Sequence, residues 1–141
     1  MTRPSPILAL RAAIRTRLVA DPALLGLLGG PRVYDEAPRG IEPPYVIFGD
    51  VTAEDWSTGD VPGHRQALSL VVWSSQGGDS EALGIVGELA ALLADAPLVL
   101  DGHRLVLLRA AGQSVSRPEA ADPSAGLRRA TLRLEALTEP A

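Results

Sequence analysis

The sequence predicts one α+β domain, with two main helices packed on an antiparallel β-sheet. Three observations support this fold class. The chain has 141 residues, which is the length of one domain. Helical and strand patterns are segregated along it instead of alternating as βαβ units. No linker and no internal repeat divides the sequence, so a single domain over residues 1–141 is expected.

The N-terminal part of the chain predicts a long helix and a short one. Apolar side chains three and four residues apart form one stripe of the long helix, comprising Ile7, Leu10, Ile14 and Leu18. Three arginines fall mostly off this stripe and should face solvent: Arg11, Arg15 and Arg17. The helix should end near Ala20, because Pro22 disfavours helical geometry in the residue before it. Asp21 can then cap a second helix over Ala23–Leu28.

Three strands are predicted next. Arg32–Asp35 is a short candidate, and Tyr45–Val51 is rich in β-branched and aromatic residues, with a bulge expected at Gly49. Glu54–Gly63 carries acids, glycines and a proline, which predicts a solvated loop. Gln66–Ser74 has apolar residues on both of its alternating faces. One face should therefore meet the helices, and the other should be only partly wet.

A second long helix is predicted after these strands. Asp79 or Ser80 should cap it, and Pro97 should follow its end. Its predicted buried stripe comprises Leu83, Val86, Leu89, Ala90 and Leu93. Gly84 and Gly87 each weaken a helix by about 1 kcal/mol relative to Ala, which suggests close packing against a neighbour at this point.

The last part of the chain predicts a hairpin and a final strand. Asp101-Gly102 is a strong turn signal, predicted to join strand Leu98–Leu100 to a strand that begins at Arg104 and runs to Ser116. A loop is predicted from Arg117 to Gly126. Leu127–Leu137 alternates in part and should be a long strand with one polar, arginine-rich face.

Composition excludes several kinds of chemistry. The chain has no cysteine and no lysine. This rules out disulfides, thiolate-based zinc sites and thiol nucleophiles, as well as Schiff-base and P-loop chemistry. The net charge of −4 argues against a dedicated nucleic-acid-binding protein. Because the sequence has no apolar run of membrane-spanning length and no signal-peptide pattern, we expect synthesis in the cytoplasm and no membrane contact.

The motifs of common enzyme and cofactor sites are also missing from the sequence. His64 and His103 lack HxH, HxxxH and HExxH spacing, and no serine lies in GxSxG. Gly77-Gly78 precedes a predicted helix, but Asp79 would repel an anion there. We therefore expect no catalytic residue, no cofactor and no metal. The enzymatic alternative is a small enzyme whose site is built from distant residues such as His64, His103, Asp101 and Glu135.

Two charged segments are the candidate interaction sites. The first is acidic and contains Glu54, Asp55, Trp56 and Asp60. It is either a solvated loop or a segment that faces a partner or a channel, and its tryptophan either anchors an interface or folds back onto the domain. The second segment lies on the last predicted strand and contains Arg128, Arg129 and Arg133. These arginines form a solvated strand face, a charge-protected sheet edge or an interface with a neighbour's acids.

In the order of its segments the chain resembles the tail completion, or tail terminator, proteins of long-tailed phages and phage-like gene transfer agents. The resemblance covers nearly the whole chain. It rests on an N-terminal helix followed by these phrases: Leu24-Leu25-Gly26-Leu27-Leu28-Gly29, Arg32-Val33-Tyr34-Asp35, Pro43-Pro44-Tyr45-Val46, Val51-Thr52-Ala53-Glu54-Asp55-Trp56-Ser57, His64 to Leu70 with Val72-Trp73-Ser74, Glu81 to Leu93 with Ala96-Pro97-Leu98, and Leu134-Glu135-Ala136-Leu137-Thr138.

The resemblance implies a structural virion protein of tail-terminator-like fold. Such proteins form a hexameric ring that caps the tail tube on the side nearest the head, stops tube polymerisation and joins the tail to the head–neck connector. DNA passes through the ring without specific binding. The implied partners are further copies of the chain, the tail tube protein and the connector or stopper protein. The implied location is the tail–neck junction of a virion or phage-like particle, assembled in the host cytoplasm.

Other members of the same assembly remain alternatives. The chain could be a head–tail stopper or a tail tube subunit, although tube subunits use long hairpins and none is evident in the sequence. An acidic surface suits a channel through which DNA slides, because a basic lumen would hold phosphates. We therefore expect the segment Glu54–Asp60 to face either the lumen or the tube.

Overall fold

The computed structural model describes residues 4–94, 96–118 and 126–141. Three helices and five strands make up the described chain, in the order α1 (Pro6–Val19), α2 (Pro22–Leu28), β1 (Val33–Tyr34), β2 (Tyr45–Asp55), β3 (His64–Ser74), α3 (Ser80–Leu93), β4 (His103–Ser116) and β5 (Arg128–Pro140). This is the predicted α+β class. Residues 119–125 of the predicted loop Arg117–Gly126 lie outside the described residues.

The five strands form one mixed sheet in the order β1-β2-β3-β5-β4. The pairs β2–β3, β3–β5 and β5–β4 are antiparallel, as expected. The prediction of a purely antiparallel sheet was wrong, because β1 pairs in parallel with β2 through Val33 and Tyr34. The proline-rich segment between these two strands carries the chain back to the end from which β1 started, so β2 runs in the same direction.

The helices cover one face of the sheet, and the core lies between the two layers. Leu10, Ile14 and Leu18 of α1 are fully buried, as the predicted stripe requires. Alternate residues of the two central strands are buried on the side of the helices. They are Gln66, Leu68, Leu70, Val72 and Ser74 of β3 and Ala130, Leu132, Leu134, Ala136 and Thr138 of β5. The period of two along each strand therefore separates a buried face from the opposite face. No helix of the described residues covers that opposite face, which is called the bare face below.

The predicted buried stripe of α3 was partly wrong. Leu83 is 40% exposed, whereas the residues that enter the core are Ala82, Ile85, Val86, Leu89, Leu92 and Leu93. The helix carries apolar side chains around much of its surface, so the periodicity alone did not identify the core side. Gly84 and Gly87 are exposed, with nothing within 4 Å of a Cβ built at either position. The expected close packing at these glycines is therefore not present within the described chain.

The start of α3 also differs from the prediction in its chemistry. Asp79 occupies the N-cap position, but its side chain makes no capping hydrogen bond. Its carboxylate accepts from Arg128 Nε at 2.8 Å instead. The Gln76 side-chain oxygen takes over the cap, accepting from the Glu81 backbone N–H at 2.9 Å and from the Ser80 hydroxyl at 3.0 Å.

The three arginines of α1 do more than face solvent. Arg11 pairs with Asp35 at 2.5 Å and lies over the Phe48 ring. Arg15 donates to the Val33 carbonyl at 3.0 Å, and Arg17 donates to the Leu92 carbonyl at 3.2 Å. These side chains tie the helix to β1, β2 and the end of α3.

Leu98–Leu100 does not form the predicted strand. Only a single bridge joins Leu100 to His103 across the Asp101-Gly102 turn, where Gly102 takes a positive φ of 70°. The turn signal was correct, but β4 finds its ladder partner in β5, from His103–Pro140 to Ser116–Arg129. Long-range pairing thus replaced the local hairpin.

Candidate interaction surfaces

The predicted solvated loop Glu54–Gly63 is only partly correct, because Glu54 and Asp55 belong to β2, whereas residues 56–63 form the mostly exposed connection of a hairpin. β2 continues to Asp55, which pairs with His64 of β3. Beyond this pair, the Trp56 N–H donates to the Gly63 carbonyl at 2.8 Å, and Thr58 and Val61 exchange two backbone hydrogen bonds. The antiparallel pairing therefore continues beyond Asp55 and His64, and residues 54–63 are called the hairpin tip below. Acidic residues favour a loop, but backbone pairing holds Glu54 and Asp55 in the ladder, and Asp60 lies in the turn that closes the hairpin.

Asp55 is held in its charged form at the root of the hairpin tip. Its Oδ1 accepts from the Ser57 hydroxyl at 2.6 Å and from the Ser57 N–H at 3.2 Å. These hydrogen bonds lower the pKa of Asp55 below its ordinary value, and the charge of His64 across the ladder lowers it slightly further. Glu54, Asp55 and Asp60 are all exposed, so the hairpin carries three acids into solvent.

Trp56 folds back onto its own hairpin. The residue is only partly exposed, and its ring lies so close to Gly63 that a Cβ there would be 3.0 Å from Trp56 Cε3. Of the two expectations for this side chain, the geometry within one chain matches the inward one. A contact with another protein through its remaining surface stays a prediction.

The three arginines of the last strand do not form one patch. Arg128 points to the helix side, where it bonds Asp79. Arg129 and Arg133 lie on the bare face, where Arg129 stacks 5.9 Å from the centre of the Trp73 ring. The Arg133 guanidinium lies over Gly112 of β4. A Cβ built on Gly112 would be only 2.1 Å from Arg133 Nη2, so the guanidinium occupies the space that a side chain at this position would need. The period of two along β5 accounts for this division.

The predicted acids lie at one end of the sheet, whereas the arginines are spread along β5. Arg128 and Arg129 lie at the other end, and Arg133 is opposite Ser69, midway along β3. Asp55 is opposite His64 at the start of β3, whereas Arg129 is opposite Trp73 near the end of that strand. Ten residues of strand at about 3.3 Å each separate the two ends by roughly 30 Å. The acids therefore cannot pair with Arg128 or Arg129 within one chain.

The residues of the enzymatic alternative are only partly brought together. His64 and His103 line one cavity of about 420 Å³ with several prolines, and His103 Nε2 lies 2.8 Å from the Pro4 carbonyl oxygen. Glu135 lies on the bare face instead, 3.2 Å from Arg109. Asp101 lines a different groove, beside α1. Within the described residues, no group of three or more histidines and acids is placed to hold a metal ion.

Both ends of the sheet order present open strand edges, which the sequence patterns did not reveal. Among the residues that the structure describes, β4 pairs only with β5, and β1 covers β2 only at Val46 and Ile47. Sheet order is not encoded in strand periodicity, so the edges could not be assigned in advance. The one available signal is the adjacent apolar pair Val106 and Leu107, which are 47% and 37% exposed.

None of the helices in the described part of the chain is long and apolar enough to cross a membrane. The observed features are those of a scaffold with polar surfaces and open sheet edges.

Comparison with known proteins defines the class to which this scaffold belongs. The family model described as "Tail completion protein gp17" matches residues 12–139. A solved chain from a structure titled "Virion of native gene transfer agent (GTA) particle" superposes with a TM-score of 0.85 and 30% identity, covering 94% of this chain and 96% of that one. No curated protein matches the chain.

Fold and family together define a structural protein of phage tails. More particularly, the chain belongs to the tail completion protein gp17 family. The resemblance drawn from the order of sequence segments is thereby confirmed at the level of the family.

Proposed function

We propose that this chain is a tail terminator of one tail-terminator-like domain. Six copies form a ring of about 88 kDa, given subunits of 14.7 kDa. The ring caps the tail tube at its head-proximal end, stops tube polymerisation and joins the tail to the head–neck connector. DNA passes through it without specific binding. The role is structural, without catalytic residues or cofactors, at the tail–neck junction of a virion or phage-like particle assembled in the host cytoplasm.

The observation that carries this proposal is the near-complete superposition on a chain of a gene transfer agent particle. Almost the whole of each chain is matched, so the likeness extends to the complete fold. The family's description as tail completion proteins agrees with a role at the end of the tail. The open edge of β4 and the uncovered part of β2 give each subunit two different surfaces, as a head-to-tail ring requires.

The hairpin tip is the proposed contact with the tube or the lumen. Glu54, Asp55 and Asp60 are exposed on an ordered hairpin, and Asp55 is held ionised by Ser57. An acidic surface at this place can face a protein partner, or can line a channel without retaining DNA phosphates.

The long β2–β3 hairpin supports one of the alternatives, the tail tube subunit. Its two strands have 11 residues each, and a hairpin of this length was not evident in the sequence. A hairpin of this length is expected of a tail tube subunit, which would place copies along the whole tube. The stopper alternative would place the chain on the head side of the ring.

Tube polymerisation in the presence of the purified protein distinguishes these alternatives. Tail tube subunits are allowed to polymerise with and without this protein, and tube lengths and end densities are recorded by electron microscopy. A terminator shortens the tubes and adds density at one end only. Incorporation along the tube wall would identify a tube subunit, and unchanged tubes with bare ends would contradict the terminator role.

The hairpin tip is tested by removing its charges. Glu54, Asp55 and Asp60 are replaced together by Ala, and the joining of heads and tails is scored by particle yield. We expect impaired joining with an unchanged fold by circular dichroism. The control removes two exposed acids from the β1 end of the molecule, Glu36 and Glu42. Wild-type particle yield from the tip variant would refute its role.

A further inference from the structure

Two open strand edges of this sheet are built to the same pattern. On β4, bulges interrupt the ladder between Leu105 and Leu107 and again between Ala110 and Gly112, leaving the regular segment Leu107–Ala110. On β2, a bulge between Phe48 and Val51 leaves the regular segment Val51–Asp55, which β1 does not cover. Each segment has an outer row of backbone N–H and C=O groups with no partner strand in the described chain. Such a row is a template for pairing with another chain.

The two segments lie at the same height in the sheet. Following the register across the strands, Val51 lies in one row with Leu68, Leu134 and Ala110. Three rows further on, Glu54 lies in one row with Arg65, Leu137 and Leu107. A neighbour related by rotation alone, without a shift along the strands, would therefore bring its Val51–Glu54 directly beside Leu107–Ala110.

The strand directions also agree. β2, β3, β5 and β4 alternate in direction because every pair among them is antiparallel. A second copy with its β2 beside β4 in the same orientation continues this alternation, so the new pair is antiparallel as well. The contact uses different edges on the two copies, which is the geometry that repeats into a closed ring.

The charges and the exposed apolar residues of the two edges fit a second copy of the chain as the partner. The β4 edge presents Arg104 and Arg109 together with the exposed Val106 and Leu107, and Arg109 shares its row with Thr52. The β2 edge presents Asp50 and Glu54, two residues on either side of Thr52. Diagonal neighbours across paired strands are about 7–8 Å apart, within reach of an arginine side chain. Each arginine-bearing edge would thus meet an acidic edge.

We infer that neighbouring copies join by antiparallel pairing of β4 residues Leu107–Ala110 with β2 residues Val51–Glu54 of the next copy, which makes the sheet continuous from subunit to subunit. This inference rests on the proposed ring, and it assigns the surfaces that hold the ring together. The partner is a second copy of this chain.

Disulfide trapping tests the pairing directly, because the chain has no cysteine of its own. Thr52→Cys and Arg109→Cys are combined in one chain. Within a subunit the two positions are three strand spacings apart, about 14 Å, too far for a disulfide. Between subunits they lie opposite each other. Mild oxidation should therefore give a ladder of linked chains that ends at six, whereas each single variant should give dimers at most.

The matched control combines Thr52→Cys with Val99→Cys, a site that is 91% exposed but lies outside the sheet. It should give no ladder. Oxidation is carried out on the protein alone and on protein bound to tail tubes, and the mass is measured by light scattering or gel in parallel. Hexamers without cross-links would overturn the inference and leave the proposed function standing. Absence of any oligomer in both settings would overturn both, and ladders longer than six would overturn the closed ring.

A charged edge offers an independent test. Val106→Lys places a lysine on the β4 edge, a change that opposes pairing with another strand. The control Leu83→Lys makes the same change on the exposed side of α3. The edge variant should associate at least tenfold more weakly than the control while melting at the same temperature. Equal association of the two variants would contradict pairing through β4.

Discussion

Gly63 tests how the hairpin tip is held, because an alanine there places a methyl group against three groups at once. A Cβ at this position would lie 3.0 Å from Trp56 Cε3, 3.2 Å from the Trp56 carbonyl oxygen and 3.4 Å from the Thr138 carbonyl oxygen. Two of these atoms are backbone carbonyl oxygens, so movement of the ring alone cannot relieve the crowding. Overpacking of this kind costs about 1–3 kcal/mol. With a urea m-value of about 2 kcal/mol/M, the Gly63→Ala unfolding midpoint should fall by about 0.5–1.5 M.

The assay is urea unfolding followed by tryptophan fluorescence, with native spectra recorded to detect displacement of the Trp56 ring. Gly84→Ala is the control, since its Cβ would meet nothing within 4 Å on the exposed side of α3. That change should stabilise the protein by about 0.5–1 kcal/mol through higher helix propensity. The packing described for the hairpin tip would be refuted if Gly63→Ala unfolded at the wild-type urea concentration with an unchanged native spectrum.

Two further predictions concern the core and pH. Leu132→Ala removes a fully buried side chain from the centre of the sheet, so it should cost about 2–5 kcal/mol and lower the urea midpoint by about 1–2.5 M; a shift below 0.5 M would contradict the described core. Glu88 hydrogen-bonds Asp21, the cap of α2, and this contact with burial and like charge raises the pKa of Glu88. The folded state therefore loses stability as pH rises through that pKa. Glu88→Gln should raise the melting temperature at pH 7, with a gain that disappears as pH falls below the raised pKa; a pH-independent difference would exclude this cause.

The sequence predicted best where one strong pattern decides the structure. Three of the four residues of the predicted α1 stripe, Leu10, Ile14 and Leu18, are buried, whereas Ile7 near the start of the helix is half-buried. The alternation of β5 likewise predicted its polar face, because a period of two allows only two faces. For β3, with apolar residues on both faces, the alternation did not show which face meets the helices. Asp21-Pro22 predicted the start of α2, where Asp21 accepts from the Leu24 N–H at 2.9 Å.

Features set by long-range pairing could not be predicted. The parallel β1 depends on where the chain returns after its proline-rich segment, which local residues do not specify. The strand predicted at Leu98–Leu100 precedes a strong turn signal, but its predicted partner, β4, pairs with β5 instead. For α3, two apolar stripes compete, and only the position of the sheet selects Ile85 over Leu83.

The candidate interaction sites show the same contrast between what local patterns predict and what long-range pairing decides. The sequence singled out Glu54, Asp55 and Asp60, which are exposed, but it did not predict that the ladder includes Glu54 and Asp55. The three arginines looked equivalent in sequence, yet Arg128 is bound to Asp79 on the helix side while Arg129 and Arg133 occupy the bare face. Only the sheet order shows which strands lie at the edges, and the proposed ring contact depends on that order.

The most direct test of the central claim is the symmetry and position of this protein on assembled tails. Tails carrying the tagged chain are imaged by electron cryomicroscopy, and their ends are averaged without imposed symmetry. A tail terminator predicts a single six-fold ring at the head-proximal end, absent from tails made without the chain. Labelled density along the tube, or an end structure without six-fold symmetry, would contradict the account.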